Sequence, residues 1–315
     1  MKDFRDKVAF VTGGASGIGF GIVETFLAAG MRVAIGDLRQ DHLDTALARL
    51  AENGSNGRVH GVPVDVSDRA AVARAADETE KRFGKIHVIV NNAGVGVEGP
   101  LRRATYDDWD FGLGVNLGGV VNGIQTFVPR IRAHGEGGHV VNTASLAGLV
   151  WMPSFMAIYA TSKAAVITLS ECIRDDLAPD RIGVSVLCPG PIRTNIHEAG
   201  QNRPSRFKGS SGFAEAEAQL ARRQPSPLWM DPRVVGQRVL RAMQNDELYV
   251  ITHGEWRDAF DERMNTIRDA MPKDINPDLI RSLRERSTDA STREAAAASG
   301  AAASSEAGGG GRPRT

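Results

Sequence analysis

Val8-Ala9-Phe10-Val11-Thr12-Gly13-Gly14-Ala15-Ser16-Gly17-Ile18-Gly19 runs from a short apolar stretch straight into a glycine-rich turn, and residues 18–29 continue with helical composition. The reading is strand, glycine turn, helix. The alternation repeats outward from there. Residues 33–36 read as a second strand ending at Asp37, residues 41–51 as a helix, and residues 59–64 as a third strand ending near Asp65. A helix over 68–83 follows Ser67, a suitable N-cap. Residues 87–90 form a fourth strand that gives way to Asn91-Asn92-Ala93-Gly94, and residues 106–132 are a long helical region. A fifth strand over 138–142, a helix over 158–177, a sixth strand over 182–187 and a seventh over 248–252 complete the series. Strands this short and apolar, separated by helices long enough to cross over, demand a parallel sheet covered on both faces. The expected fold is therefore doubly wound α/β with about seven parallel strands.

No internal repeat interrupts the alternation before about residue 255, which favours one domain over 1–286. Two regions depart from the pattern. Residues 191–230 are too long for a routine connection and carry Pro191, Pro204, Pro225, Pro227, Phe207, Phe213, Trp229 and Met230; loops of that length are functional or disordered, and a substrate lid is expected here. Residues 255–271 and 277–286 read as terminal helices, while 287–315, without one Val, Ile, Leu, Phe, Trp or Tyr, are expected to be a disordered tail.

Composition narrows the partners. With 42% hydrophobic and 24% charged residues the chain can bury a sizeable core. Thirty-eight Lys+Arg balance 38 Asp+Glu, leaving no electrostatic footprint for nucleic acid or an anionic membrane, so the expected partner is a small molecule. No signal-peptide pattern opens the chain and no apolar stretch is long enough to span a bilayer, so a cytoplasmic protein is expected. Cys172 and Cys188 cannot form a disulfide framework and read as small core side chains in a reducing compartment.

The glycine turn gains meaning from its frame. Glycines let the backbone approach a pyrophosphate, and the start of the following helix binds its charge, which makes Gly13, Ser16, Gly17, Ile18 and Gly19 candidate cofactor contacts. Asp37, at the end of the second strand, stands where an acid accepts hydrogen bonds from adenine-ribose hydroxyls. The same carboxylate would repel the 2′-phosphate of NADP, so NAD is the favoured cofactor and NADP the lesser one; Arg39, two residues on, is a possible phosphate partner.

Tyr159 and Lys163 lie one helical turn apart on one face. An ammonium beside a phenol favours the phenolate and would move Tyr159 from its ordinary value near 10 toward useful acid–base chemistry, although such a pair taken alone is more often structural. Ser145, just past the fifth strand at the carboxyl edge where ligands bind in open α/β sheets, points to chemistry.

Thr12-Gly13-Gly14-Ala15-Ser16-Gly17-Ile18-Gly19, Asn91-Asn92-Ala93-Gly94, Ser145 and the Tyr159/Lys163 pair together resemble the short-chain dehydrogenase/reductase family, whose fold is Rossmann-like, over residues 5–255. The resemblance implies Tyr159 as acid/base, Ser145 as hydrogen-bond partner of the reacting oxygen, Lys163 as the group that lowers the Tyr159 pKa and binds the nicotinamide ribose, and Asn116 as holder of a water that links Lys163 to solvent. It further implies Asp65 and Val66 as adenine contacts, Asn92, Ala93 and Gly94 along the cofactor, Asn91 as a residue steadying the central strands, and Pro189, Gly190, Ile192 and Thr194 as a nicotinamide-side loop. No metal is called for, and the seven histidines show no ligand cluster in their spacing. Association as a homodimer or homotetramer, through helices at 106–132 and 157–178, is expected from the same resemblance.

Substrate choice should reside after Ser145 and in 191–230. Leu149-Val150-Trp151-Met152-Pro153-Ser154-Phe155-Met156 is apolar enough to wall a bulky hydrophobic substrate, or to pack into a core or interface. Arg203, Arg206 and Lys208 read as a solvated basic loop, or as partners of a substrate carboxylate. More narrowly, Tyr106-Asp107-Asp108, Asn116-Leu117, Thr126-Phe127-Val128-Pro129 and Asn195-Ile196 are similar to Cα-dehydrogenases of bacterial lignin β-aryl ether breakdown, which implies a benzylic alcohol oxidised with NAD. The leading expectation is an NAD-dependent oxidoreductase acting on a secondary alcohol or ketone, beside an NADPH-dependent carbonyl reductase and a non-catalytic dinucleotide-sensing module, which would not need Ser145, Tyr159 and Lys163 together.

Overall fold

The computed structural model describes residues 1–285 except Asn56, Arg223, Arg284 and the side chain of Arg206; the expected tail over 287–315 and the end of the 277–286 helix lie outside the described residues. Contacts divide the chain into two units, Met1–Asp261 and Glu262–Thr315. In the first, a seven-stranded sheet alternates with helices: β1 (Val8–Thr12), α1 (Gly17–Ala28), β2 (Arg32–Asp37), α2 (Gln40–Glu52), β3 (Val59–Pro63), α3 (Arg69–Phe83), β4 (Val88–Asn91), α4 (Tyr106–Leu113), α5 (Gly119–Ala133), β5 (Gly138–Thr143), α6 (Ala157–Leu177), β6 (Ile182–Cys188), α7 (Ser205–Lys208), α8 (Ala214–Leu220), α9 (Pro232–Asn245) and β7 (Tyr249–Ile251); α10 (Arg257–Asp269) begins in the first unit and ends in the second. In the second, residues 277–283 are helical, and Asn276 Oδ1 accepts from the N–H groups of Asp278 and Leu279 at 3.0 and 3.2 Å.

The strands lie in the order β3-β2-β1-β4-β5-β6-β7, all parallel, as the doubly wound reading requires. β1 is fully buried because it faces helices on both sides: Ala9 and Val11 join the core under α1, α2 and α9, whereas Val8 and Phe10 join the core under α3, α5 and α6. The chain leaves β1 toward β2 and β3, then returns to β4 on the other side. That reversal leaves a crevice at the carboxyl ends of β1 and β4, where a ligand reaches backbone and helix N-termini together.

Several local expectations change. α3 is capped by Asp68, whose carboxylate accepts from the N–H groups of Ala70 and Ala71, while Ser67 instead bonds Asp65. The 106–132 helical region is α4, one wider π turn at Gly114–Gly118 and α5 in succession, with Thr105 and Asp108 forming a capping box at its start. His87 precedes β4 rather than belonging to it.

Folding also gathers histidines that the spacing left scattered: ligand atoms of His87, His134 and Glu136 lie within 4.8 Å of one another. All are committed to protein partners. His87 Nδ1 accepts from Val8 N at 3.2 Å and its Nε2 meets Glu136 at 3.0 Å; His134 bonds Ile86 O and Glu136 N; Lys7 and Lys85 pair with the same Glu136.

Residues 191–230 hold a 3₁₀ stretch (Ile196–Asn202), α7 and α8. Ala199 and Phe213 pack with Val95, Val97, Phe111 and Ile158 in a third apolar cluster that seats this segment over α4 and α6. Arg203 is not a solvated loop cation. It is 3% exposed, pairs with Asp108 at 3.0 Å and with Glu217, and lies 4.6 Å from the centre of the Phe111 ring. Among the described residues no helix is long and apolar enough to cross a membrane.

Candidate active site

The glycine turn has a shape that only glycine gives cheaply. Gly13 and Gly17 sit at φ 60° and 51°, in the left-handed region, and a Cβ at Gly19 would stand 2.1 Å from Gly13 O. Thr12 locks the turn against the end of β4: its Oγ1 accepts from the N–H groups of Asn92 and Ala93 at 2.9 and 3.0 Å, and Asn92 Nδ2 donates back to the carbonyls of Thr12 and Gly13. Two segments far apart in sequence thus form one rigid floor. The N-terminus of α1 opens onto it uncapped, because the Ser16 side chain makes no cap bond and no acid lies in the first turn; Ser16 Oγ donates instead to Asn195 Oδ1 at 3.1 Å. A free helix start, backed by glycines, fits a pyrophosphate.

One cavity runs from this floor across the crevice, lined at one end by Gly13, Ser16, Gly17, Ile18 and Asp37 and at the other by Gly94, Tyr159 and Lys163. Asp37 is fixed by two backbone donors, Ala15 N to Oδ2 at 3.3 Å and Arg39 N to Oδ1 at 3.1 Å. Asp65, Val66, Asn92, Ala93, Pro189 and Thr194 line the same cavity. Gly19, Gly190 and Ile192 do not: Gly190 N donates to Thr252 Oγ1 at 2.9 Å, and Ile192 is buried and bridges to Met230. The residues present therefore fit a dinucleotide with nicotinamide: the glycine turn and the start of α1 would hold its phosphates, and Asp37 and Asp65 its adenosine end.

At the reactive end, Ser145 leaves β5 and the half-buried Tyr159 leaves the first turn of α6, hydroxyl to hydroxyl. Low-dielectric surroundings push the Tyr159 phenol up to about 12, with the Ser145 hydrogen bond opposing and nearby Glu98 adding to the rise. Lys163 is 3% exposed, donates from Nζ to Thr143 O at 2.8 Å, and lies 5.7 Å from the centre of the Tyr159 ring. Burial pulls its ammonium down to about 8. The expectation that the Lys163 ammonium lowers the Tyr159 pKa is not met in this structure, where burial outweighs other influences on both groups and raises the phenol.

Asn116 sits in the π turn, and its carboxamide clamps Val95, accepting from Val95 N at 2.8 Å and donating to Val95 O at 3.0 Å and to Ser162 Oγ at 3.1 Å. Both halves of the amide hold the segment after Gly94 in place. Asn91 Nδ2 donates to Asn142 Oδ1 at 2.9 Å, and Asn142 donates to Ser170, so β4, β5 and α6 are tied at the site's base.

The apolar end is lined by Val95, Phe111, Val115, Ile196, Ala199 and Pro204. The stretch 149–156 contributes none of the lining, and Trp151 and Phe155 are 55% and 44% exposed. Sequence reading gave no site role to Thr12, Thr143 and Asn195, although Thr12 and Thr143 end strands already identified and Asn195 stands in the Asn195-Ile196 resemblance.

Comparison with known proteins agrees with this geometry. A profile described as short chain dehydrogenase matches residues 7–204. The chain is 40% identical over 282 residues to a C alpha-dehydrogenase of Sphingobium sp. strain SYK-6, covering 88% of this chain and 91% of that one. It is 38% identical over 215 residues to 3beta-hydroxysteroid dehydrogenase 2 of Eggerthella lenta, covering 67% and 81%. A short chain dehydrogenase/reductase from Burkholderia phymatum in complex with NAD superimposes with a TM-score of 0.80 at 34% identity, covering 88% of this chain and 99% of that one.

Proposed function

The chain belongs to the short-chain dehydrogenase family of oxidoreductases, and from that premise we propose that it moves a hydride between NAD and a bulky, hydrophobic or aromatic secondary alcohol, with Tyr159 as acid/base. The observation that carries the proposal is a single cavity lined at one end by Tyr159 and Lys163, with Ser145 beside the Tyr159 phenol at the carboxyl edge of β5, and at the other end by a glycine turn beside Asp37. When bound, the nicotinamide supplies the hydride acceptor and, in its oxidised form, a positive charge that favours a neighbouring phenolate.

The protein's share is orientation and proton management. Ser145 holds the alcohol oxygen by a hydrogen bond. Tyr159, deprotonated, takes the hydroxyl proton as the carbon loses hydride and the carbonyl forms; in the reverse direction the phenol returns the proton to the oxygen. Lys163, pinned by Thr143 O, presents its ammonium at the same floor, and the Asn116 clamp on Val95 shapes the wall beside it. The apolar lining from Val95, Phe111, Val115, Ile196 and Ala199 suits a hydrophobic substrate. The similarity to a C alpha-dehydrogenase and to a hydroxysteroid dehydrogenase supports the same substrate class.

The test is a panel of aromatic and alicyclic secondary alcohols with NAD⁺, read by absorbance of the reduced cofactor. Benzylic alcohols should lead; turnover of only small hydrophilic alcohols, or none with any member, would overturn the substrate reading. The pH dependence has a definite sign. Oxidation needs the base form of Tyr159, which is scarce at neutral pH when the phenol is pushed up to about 12, so kcat/KM for oxidation should rise with pH. Because Lys163 loses its charge above about 8, the rise should bend there, and Lys163→Met should remove the bend while lowering the rate. A flat profile in the wild type would count against Tyr159 as the base.

A further inference from the structure

We propose that Asp41 is a specificity residue for the dinucleotide, acting as a clamp that withholds the Arg39 guanidinium from the place a 2′-phosphate on the adenine ribose would occupy. This rests on the NAD reading above and deepens it: Asp37 repels the phosphate, and Asp41 removes the cation that would otherwise reward it.

Arg39 begins where discrimination is made. Its backbone N–H donates to Asp37 Oδ1, so its Cα stands beside the carboxylate that lines the cavity. Arg39 is nevertheless not among the residues lining the cavity; the lining near Asp37 is Leu38, His42, Val64 and Asp65. The guanidinium is turned to Asp41 instead, Nε donating to Oδ1 at 3.0 Å and Nη2 to Oδ2, a two-pronged fork at the first turn of α2. The pairing holds the Asp41 carboxyl down to about 2 and raises Arg39. Asp41 also lies in the acidic first turn of α2, where the helix dipole fixes its charge in place.

The clamp is exposed, so it contributes little to stability, and that is why it can act as a specificity device: a modest pairing suffices to decide where a flexible cation points. Arg rather than Lys matters here, because the planar guanidinium is aimed as a unit: with Nε and Nη2 both held by Asp41, its direction is set by that pairing. Asp37, with both oxygens held by backbone donors, has no comparable freedom to turn away.

The experiment measures Kd for NADH and NADPH by fluorescence titration in the full-length wild type, in Asp41→Asn and in the double variant Arg39→Ala/Asp41→Asn, with kinetics as a second readout. The ratio Kd(NADPH)/Kd(NADH) should fall about three- to tenfold in Asp41→Asn at low ionic strength and return toward the wild-type ratio when Arg39 is also removed. An unchanged ratio in Asp41→Asn, or a gain that survives removal of Arg39, overturns the clamp while leaving the NAD reading intact. Equal wild-type affinity for the two cofactors overturns both.

Discussion

Tyr159→Phe is expected to lower turnover of the best alcohol by about 10²- to 10⁴-fold, the range that a positioned acid/base contributes, while NADH still binds and the protein still folds. The substitution deletes one oxygen. It removes the group that exchanges a proton with the substrate and the hydroxyl that Ser145 meets, but keeps the ring, and with it the face that Lys163 Nζ approaches at 5.7 Å. No buried charge is stranded, since the phenol is neutral at physiological pH when pushed up to about 12. Thermal unfolding and NADH titration should therefore match the wild type within error, and the loss should fall on kcat rather than on cofactor Kd. Ser145→Ala should cost less, because it removes a hydrogen bond to the reacting oxygen and leaves the proton exchanger in place. Near-wild-type turnover by Tyr159→Phe would remove the proposed mechanism, whatever the cofactor.

The parts of the site readable from sequence were those whose meaning is local. The turn after β1, Asp37 at the end of β2, Asn91 to Gly94 after β4 and Ser145 after β5 all lie within a few residues of a strand end, and a parallel sheet brings strand ends to one edge. What escaped was settled by contacts between distant segments. The apolar stretch 149–156 reads equally as a substrate wall or as core or interface packing, but Trp151 and Phe155 stay exposed, and the cavity's apolar lining comes from Val95, α4, the π turn and residues 196–204. Ser67 and Asp68 are both acceptable caps on composition, and only the backbone geometry chooses Asp68. The acid–base pair shows a different limit. Spacing places Tyr159 and Lys163 on one face, but cannot say that burial, more than their mutual charge, governs both.

Arg203→Met is the second substitution expected to act strongly, and its effect should appear first in residues 196–220 and in the substrate KM. Asp108 is wholly buried and Glu217 nearly so, and Arg203 is the cation that pairs with both. Asp108 pays for its burial with hydrogen bonds: despite desolvation, donors from Thr105, Ser211 and Gly212 keep its carboxyl below the ordinary value, so it is ionised at neutral pH. Removing one partner of a buried ion pair costs about 3–5 kcal/mol because a charge is left without compensation. Here two carboxylates would be left facing each other. Met preserves much of the volume over Phe111, so the loss is electrostatic rather than a cavity. Raised hydrogen exchange and faster proteolysis across 196–220, with a KM for the bulky alcohol at least about tenfold higher, should follow, while NADH affinity changes less because the glycine turn and Asp37 do not touch this cluster. A double variant separates this from simple loss of packing: Glu217→Gln added to Arg203→Met removes one of the two uncompensated charges and should recover part of the deficit. No recovery in the double variant, or exchange and KM indistinguishable from wild type, would show that the buried triad does not hold this segment over the site.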